Sequence, residues 1–275
     1  MNKSSDADKK GTYIGNKMGI IYGNYFGRED LIEPITQTVK NLSLVNPRIL
    51  EIGANNGIVA RVVSNGCKFN SDTIVSDLNE GGLNDAPANF RKIVADNKNL
   101  PIETNGLDLI LSRSVTHYER NKKDNDVVLN EVKRVLNKGG YFVNQAVCFS
   151  DNYDIEPLKY LHDLVGKEMF IQNERDVIES HRTVFGKDSV IVAQYDVGSL
   201  PGSIEDFYKR YGVNKDFIEK EMNEKGFIIP KKWEVPYKIL VCRKWGKMWH
   251  LFFRTPLVKQ HLLNDLRLIV SMNGD

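Results

Sequence analysis

The chain has 275 residues, 38 of them basic and 36 acidic, and the resulting formal charge of +2 is far from the strongly basic balance of a nucleic-acid-binding domain. Hydrophobic residues make up 41% and charged ones 27%, enough apolar side chain for one large domain with appendages. Cys67, Cys148 and Cys242 stand far apart, without CxxC or His-rich spacing, so neither a disulfide framework nor a metal site is expected and a reducing cytoplasm fits best.

Residues 1–45 read as a polar tail, disordered over its first ten residues, followed by a segment in which Tyr13, Tyr22, Tyr25 and Phe26 mix with glycines, which suits a lid over a bound nucleoside or, equally, a segment packed on the sheet. No signal peptide is visible, and no stretch approaches the roughly 20 apolar residues of a membrane span. From 46 to 150, short β-branched runs alternate with helical runs, the pattern of a parallel sheet covered on both faces. The strands are RILEIG, DTIVSD, FRKIVAD, LDLILSR and YFVNQAVCF. One helix follows the first strand and stops near Gly66, a second is short or irregular because of Gly81 and Gly82, and a third spans 126–136.

After Ser150 the alternation is lost, and 151–213 reads as a helical insertion over the ligand edge of the sheet. Residues 214–245 return to the core with one helix and two β-rich runs joined at Pro236, and 246–275 form a helical extension with leucines at helical spacing. The expected fold is therefore α/β, Rossmann-like, with a seven-stranded mostly parallel sheet and helices on both faces. The leucine stripe suits core or dimer packing better than a membrane helix, so a homodimer is an expectation. The basic and aromatic run 231–254 reads as the charged outer face of closing strands, with an RNA or membrane patch as its alternative.

Ligands of open parallel sheets sit beyond the carboxyl ends of the strands, so the residues that follow each strand carry the functional information. The first such loop is Glu51-Ile-Gly53-Ala-Asn55-Asn-Gly57, where the two glycines permit close backbone approach and the next helix offers its positive end. Glu51 would repel a pyrophosphate but suits a zwitterion with an ammonium beside its carboxylate, and Gly-x-x-x-Gly departs from the dinucleotide fingerprint GxGxxG. Asp77, ending the second strand, can accept hydrogen bonds from two ribose hydroxyls, or serve as a helix cap. Leu78, the next residue, is a further candidate contact.

Three further stretches make a resemblance specific: Ala95-Asp96-Asn97 with Leu100-Pro101, Leu107-Asp108 through Ser112-Arg113, and Leu129 through Glu131, Arg134 and Gly139-Gly140. Over about 46–150, and more weakly 214–245, the chain resembles the small-molecule type of class I S-adenosylmethionine (SAM)-dependent methyltransferases. The resemblance implies SAM as cofactor, with Asp96 and Asn97 at the adenine amine and Glu51, Gly53, Asn55, Gly57, Asp77, Leu78 and Ser112 completing its pocket. Asn55 stands where a middle glycine is common, and Gly81-Gly82 replaces a solid helix, two departures from the family pattern.

The acceptor side carries less. The run 112–118, SRSVTHY, leaves the fourth strand where the methyl group is expected, and lacks both the [DNS]PP[YF] motif of base-amino methyltransferases and the Pro-Cys pair of cytosine enzymes. His117 is the candidate general base, since an ordinary imidazole titrates at about 6.5, with loop packing as the alternative. His162, His181 and Tyr195 could line an acceptor pocket but read better as surface or packing residues. The expected function is methyl transfer to an O or N nucleophile of a small molecule, with no nucleic acid, membrane or metal partner. The alternatives are an RNA or protein methyltransferase, a catalytically silent SAM-binding module and an NAD-dependent oxidoreductase.

Overall fold

A computed structural model of the chain describes residues 29–167, 169–193, 199–229 and 231–245. β1 (Ile49–Ile52) is buried at all four positions, which places it inside a sheet covered on both faces. β2 (Thr73–Asp77) and β4 (Leu107–Arg113) flank it in parallel, β3 (Arg91–Val94) pairs with β2, and β5 (Leu136–Val147) pairs with β4. β8 (Lys232–Arg243) runs antiparallel between β5 and β6 (Val190–Val192). The path β3-β2-β1-β4-β5-β8-β6 is the expected seven-stranded, mostly parallel sheet, and β7 (Ser199–Ser203) adds an eighth strand against the start of β8.

Helices cover both faces because the strands expose apolar side chains to each. On one face α1 (Glu33–Lys40) and α2 (Ile58–Cys67) pack Ile35, Val39, Val59 and Val63 against Ile49, Leu109 and Leu111. On the other, α4 (Lys122–Val135) sets Val128, Leu129, Val132 and Val135 on Leu50, Ile52 and Ile110, following a short α3 (Glu80–Asn84) beside β2. At roughly 1.5–3 kcal/mol per fully buried side chain, these layers outweigh the intrinsic helix preference of either stripe. Asn121 caps α4 by accepting the Asp124 N–H at 3.0 Å.

Three features depart from the expected layout. Within 151–213, α5 (Glu156–Leu164) is followed by α6 (Glu174–Phe185), whose Val177, Val184 and Phe185 join the α4 face, and by β6, a strand of the main sheet. The chain thus rejoins the core by Glu174 rather than at 214, a return hidden in the sequence because a three-residue strand is too short to display an alternating pattern. α8 (Lys215–Glu224), expected as a core helix, instead shares a separate cluster with α5 and α7 (Ile204–Tyr211), built on Leu161, Ile204, Phe207, Ile218 and Met222. The two β-rich runs around Pro236 are one strand, with Pro236 where β8 passes from β7 to β5, a position at which a missing N–H disrupts the ladder least. The lid segment before residue 29, Tyr195 and the leucine-striped extension beyond 245 lie outside the described residues.

Among the described residues no helix is long and apolar enough to cross a membrane, and no cluster of His, Cys, Asp and Glu could hold a metal ion. Cys67, Cys148 and Cys242 are all free thiols.

Candidate functional site

The strand order reverses direction between β1 and β4, and Ile52 lies beside both Ser76 and Ser112, so the loops after β1, β2 and β4 start side by side at the carboxyl edge. The loop after β1 is wound by three left-handed residues, Gly53 (φ +59°), Asn55 (φ +48°) and Gly57 (φ +69°). It is tied down by Ala54 N–H donating to the Ser76 carbonyl at 2.9 Å and by Gly57 N–H donating to the Ala54 carbonyl at 2.8 Å. A Cβ on Gly53 would come within 2.4 Å of a Val115 methyl, so the loop after β4 presses directly on the glycine turn.

Glu51 sits beneath that turn, 3% exposed, and its Oε2 accepts the Ala60 N–H at 2.8 Å. Gly57 at the N-cap of α2 has no side chain to offer, so a strand carboxylate satisfies one of the orphan donors of the helix. Burial pushes the Glu51 carboxyl up to about 8, against the lowering influence of the Ala60 amide and the Arg113 guanidinium. It is therefore largely a neutral acid at pH 7 until a cation is brought near.

Asp77 ends β2 with both oxygens engaged by backbone: Oδ2 accepts Asn55 N–H and Oδ1 accepts Asn79 N–H, each at 2.8 Å. The helix-cap alternative is not what this carboxylate does, since Asn79 holds the N-cap of α3. Each oxygen keeps a second acceptor site. Leu78 stands beside it, 63% exposed.

Across β3, Asp96 Oδ1 accepts the Lys98 N–H at 2.8 Å, while the buried Oδ1 of Asn97 has no hydrogen-bond partner. The buried Asn56 Oδ1 and Ser112 Oγ are also without partners. Buried acceptors left over in a folded protein cost stability unless a ligand or water meets them. Glu51, Gly53, Asn55, Gly57, Asp77 and Ser112 thus share one edge at neighbouring strand ends, with Asp96 and Asn97 following β3.

His117 lies in a single 3-10 turn, Thr116–Tyr118, on the loop that follows β4, its ring centroid 4.2 Å from that of Tyr118. Two other histidines are core groups. His181 is buried on α6, its Nδ1 2.8 Å from the Val177 carbonyl and its Nε2 3.0 Å from Asn144 Nδ2; burial lowers it to about 4. His162 is buried with Nδ1 2.8 Å from the Leu158 carbonyl.

Sequence reasoning passed over two neighbours of this edge. Arg113, the last residue of β4, contributes the positive charge nearest in effect to Glu51. Ser114, in a left-handed conformation (φ +56°), donates its hydroxyl to Tyr237 on β8 at 3.0 Å. The basic side chain after LDLILS was a visible signal for the first; nothing local signals the second, whose partner is remote in sequence.

Residues 50–144 match a family model described as a methyltransferase domain. No curated protein matches significantly. Among solved structures the chain is similar to the YcgJ protein of Bacillus subtilis, with 18% identity and a TM-score of 0.60, covering 80% of this chain and 100% of that one. It is also similar to phosphoethanolamine N-methyltransferase 2 of Haemonchus contortus, at 14% identity over 76% of this chain and 51% of that one. That enzyme was solved with phosphomonomethylethanolamine and S-adenosylhomocysteine (TM-score 0.52) and with S-adenosylmethionine (TM-score 0.50). At such identities the structural likeness speaks for the fold.

Proposed function

We propose that this chain, whose residues 50–144 match a methyltransferase domain, is a class I SAM-dependent methyltransferase that transfers the methyl group to an oxygen or nitrogen nucleophile of a small molecule. The observation that carries the pocket assignment is the convergence, at the β1/β4 reversal, of a left-handed glycine turn with Glu51, Asp77 and the unpartnered Ser112 Oγ, beside the loop after β3 that carries the unpartnered Asn97 Oδ1.

In this reading Asp77 uses its remaining acceptor sites for the ribose hydroxyls and Leu78 gives the nucleoside an apolar flank. Asn97 Oδ1 and Asp96 accept from the adenine amine. Glu51 answers the ammonium of the methionine end, while Gly53, Asn55, Gly57 and Ser112 shape the space around it. Bound SAM supplies an electrophilic sulfonium methyl. The chain orients the acceptor and His117 takes up the proton that the nucleophile sheds. Phe170, from the segment after β5, donates its N–H to the carbonyls of His117 (3.0 Å) and Glu119 (2.8 Å), which supports a role for that segment as a wall of the acceptor space.

A small acceptor is favoured over RNA by the near-neutral charge and by the lack of a base-amino motif. Three free thiols suit a reducing cytoplasm. The test is titration with SAM, S-adenosylhomocysteine and NAD, followed by methyl-labelled SAM offered with metabolite, RNA and protein fractions. SAM should bind, Glu51→Ala and Asp77→Ala should weaken it at least tenfold, and label should enter metabolites. Binding of NAD alone, or label confined to RNA or protein, would overturn the reading.

A further inference from the structure

The loop that carries His117 is held from the cofactor side by an ion pair outside the pocket assignment. Lys98, on the loop after β3, places Nζ 3.0 Å from Glu119 Oε2 and 3.9 Å from Asp96 Oδ2. Glu119 is the residue immediately after the 3-10 turn, and its side chain is only 12% exposed. The Glu119 carbonyl accepts from Phe170 N–H, so side chain and backbone of this one residue fasten the turn in two directions. Burial pulls the Lys98 ammonium down, but Glu119, Asp96 and Asp124 together hold it above its ordinary range.

The geometry makes Lys98 a shared cation. Asp96 already receives the Lys98 N–H on Oδ1, leaving Oδ2, the oxygen that faces Nζ, as its more open acceptor. A purine exocyclic amine donating to Oδ2 would satisfy that oxygen and reduce its hold on the ammonium. Lys98, already 3.0 Å from Glu119, would then be shared less with Asp96, and its attraction to Glu119 strengthens as water is displaced from around the pair. The other end of the loop after β3 cannot yield to absorb the change, because Leu100 N–H donates to Glu131 at 2.7 Å and Arg134 donates to the Leu100 and Ile102 carbonyls.

We propose that Lys98 and Glu119 form a latch that already joins the loop after β3 to the His117 turn and that an adenine group seated at Asp96 tightens, making Lys98 a positioning residue that orders the acceptor side further when the nucleoside is bound. This rests on the SAM-pocket reading above. It adds an order of assembly, cofactor first and acceptor loop second.

Hydrogen exchange of the whole chain, with and without S-adenosylhomocysteine, tests it. In the wild type the ligand should slow exchange both in 95–101 and in 115–121. In Lys98→Met and Glu119→Gln the protection of 95–101 should persist, while the ligand-dependent protection of 115–121 falls by about fivefold, the scale of a well-placed partly exposed ion pair. The charge exchange Lys98→Glu with Glu119→Lys should restore most of it. A merely structural salt bridge would speed exchange of 115–121 equally with and without ligand, and that result overturns the latch, as does unchanged ligand-dependent protection in Lys98→Met. Absence of any S-adenosylhomocysteine binding by the wild type instead strikes at the pocket reading itself.

Discussion

Gly82 and Asn55 fit into one another: a Cβ built on Gly82 would lie 2.3 Å from Asn55 Oδ1 and 3.2 Å from its Cα. The two departures from the family pattern, an asparagine within the glycine loop and a glycine pair after β2, are therefore one packing arrangement. Asn55 tolerates its left-handed φ of +48° better than most residues, and its N–H reaches Asp77. α3 can pass the enlarged loop because position 82 has no side chain.

Gly82→Ala should accordingly displace Asn55 and destabilise the fold by about 1–3 kcal/mol, the usual range for overpacking. It should also weaken SAM binding, since the displaced loop carries the Asp77 contact. Asn55→Gly, harmless at positive φ, removes the colliding amide, so Gly82→Ala with Asn55→Gly should regain most of both losses. Calorimetric stability and a SAM titration on the three variants decide it; an unimproved double variant would mean that the contact is incidental.

Glu51 predicts proton-linked cofactor binding. Its carboxyl is raised to about 8 in the folded chain, so at pH 7 the native state keeps a proton that the unfolded chain, near 4.5, has lost. Stability from this group is complete below pH 4.5 and declines as pH rises towards 8. Glu51→Gln should flatten that decline. If Glu51 answers the ammonium of SAM, binding at pH 7 should release close to one proton, measured calorimetrically in buffers of different ionisation enthalpy, and Glu51→Gln should release none. Equal release in both proteins would remove Glu51 from the cofactor contact while leaving its cap on α2 intact.

His181 gives the opposite slope at acid pH. Burial holds it down to about 4, below its ordinary 6.5, so the stability it contributes is present above pH 6.5 and is lost as pH falls towards 4. His181→Leu should abolish that slope and, by stranding the buried amide of Asn144, cost about 1–3 kcal/mol at pH 7. Denaturant melts at pH 7 and pH 5 compare the two directly. An unchanged pH dependence would assign the slope to other groups.

These residues also mark how far the sequence was legible. LDLILSR read as a strand, and β4 spans Leu107–Arg113, because its apolar side chains serve two buried faces and need no partner to be recognised. Strand ends fixed the candidate positions for the same reason. What stayed hidden depends on direction and distance: Glu51 was visible as an acid, but not that its Oε2 turns to Ala60. Ser114 meets Tyr237 across 123 positions, and β6 is three residues long. In each of these, tertiary packing supplies information that local spacing lacks.

Glu131 and Arg134 show how a motif can have a mechanical reading. They are three residues apart on α4, and Arg134 grips Glu131 with Nε and Nη2 at 2.7 Å each, while reaching Thr104 and the Leu100 and Ile102 carbonyls. Glu131 in turn accepts the Leu100 N–H, and its carboxyl is held below the usual range chiefly by Arg134. Together they staple the loop after β3, with Asp96 and Asn97 at its start, to α4. Lysine carries the charge but not the planar fork. Arg134→Lys should therefore lose about 1–2 kcal/mol, discounted for its partial exposure, with exchange of amides 100–106 faster by about five- to thirtyfold. SAM affinity should fall by less than in Asp77→Ala, because the staple shapes the loop without touching the ligand. Exchange at 100–106 equal to that of the wild type would mean that the Leu100 N–H bond to Glu131 holds the loop without the guanidinium.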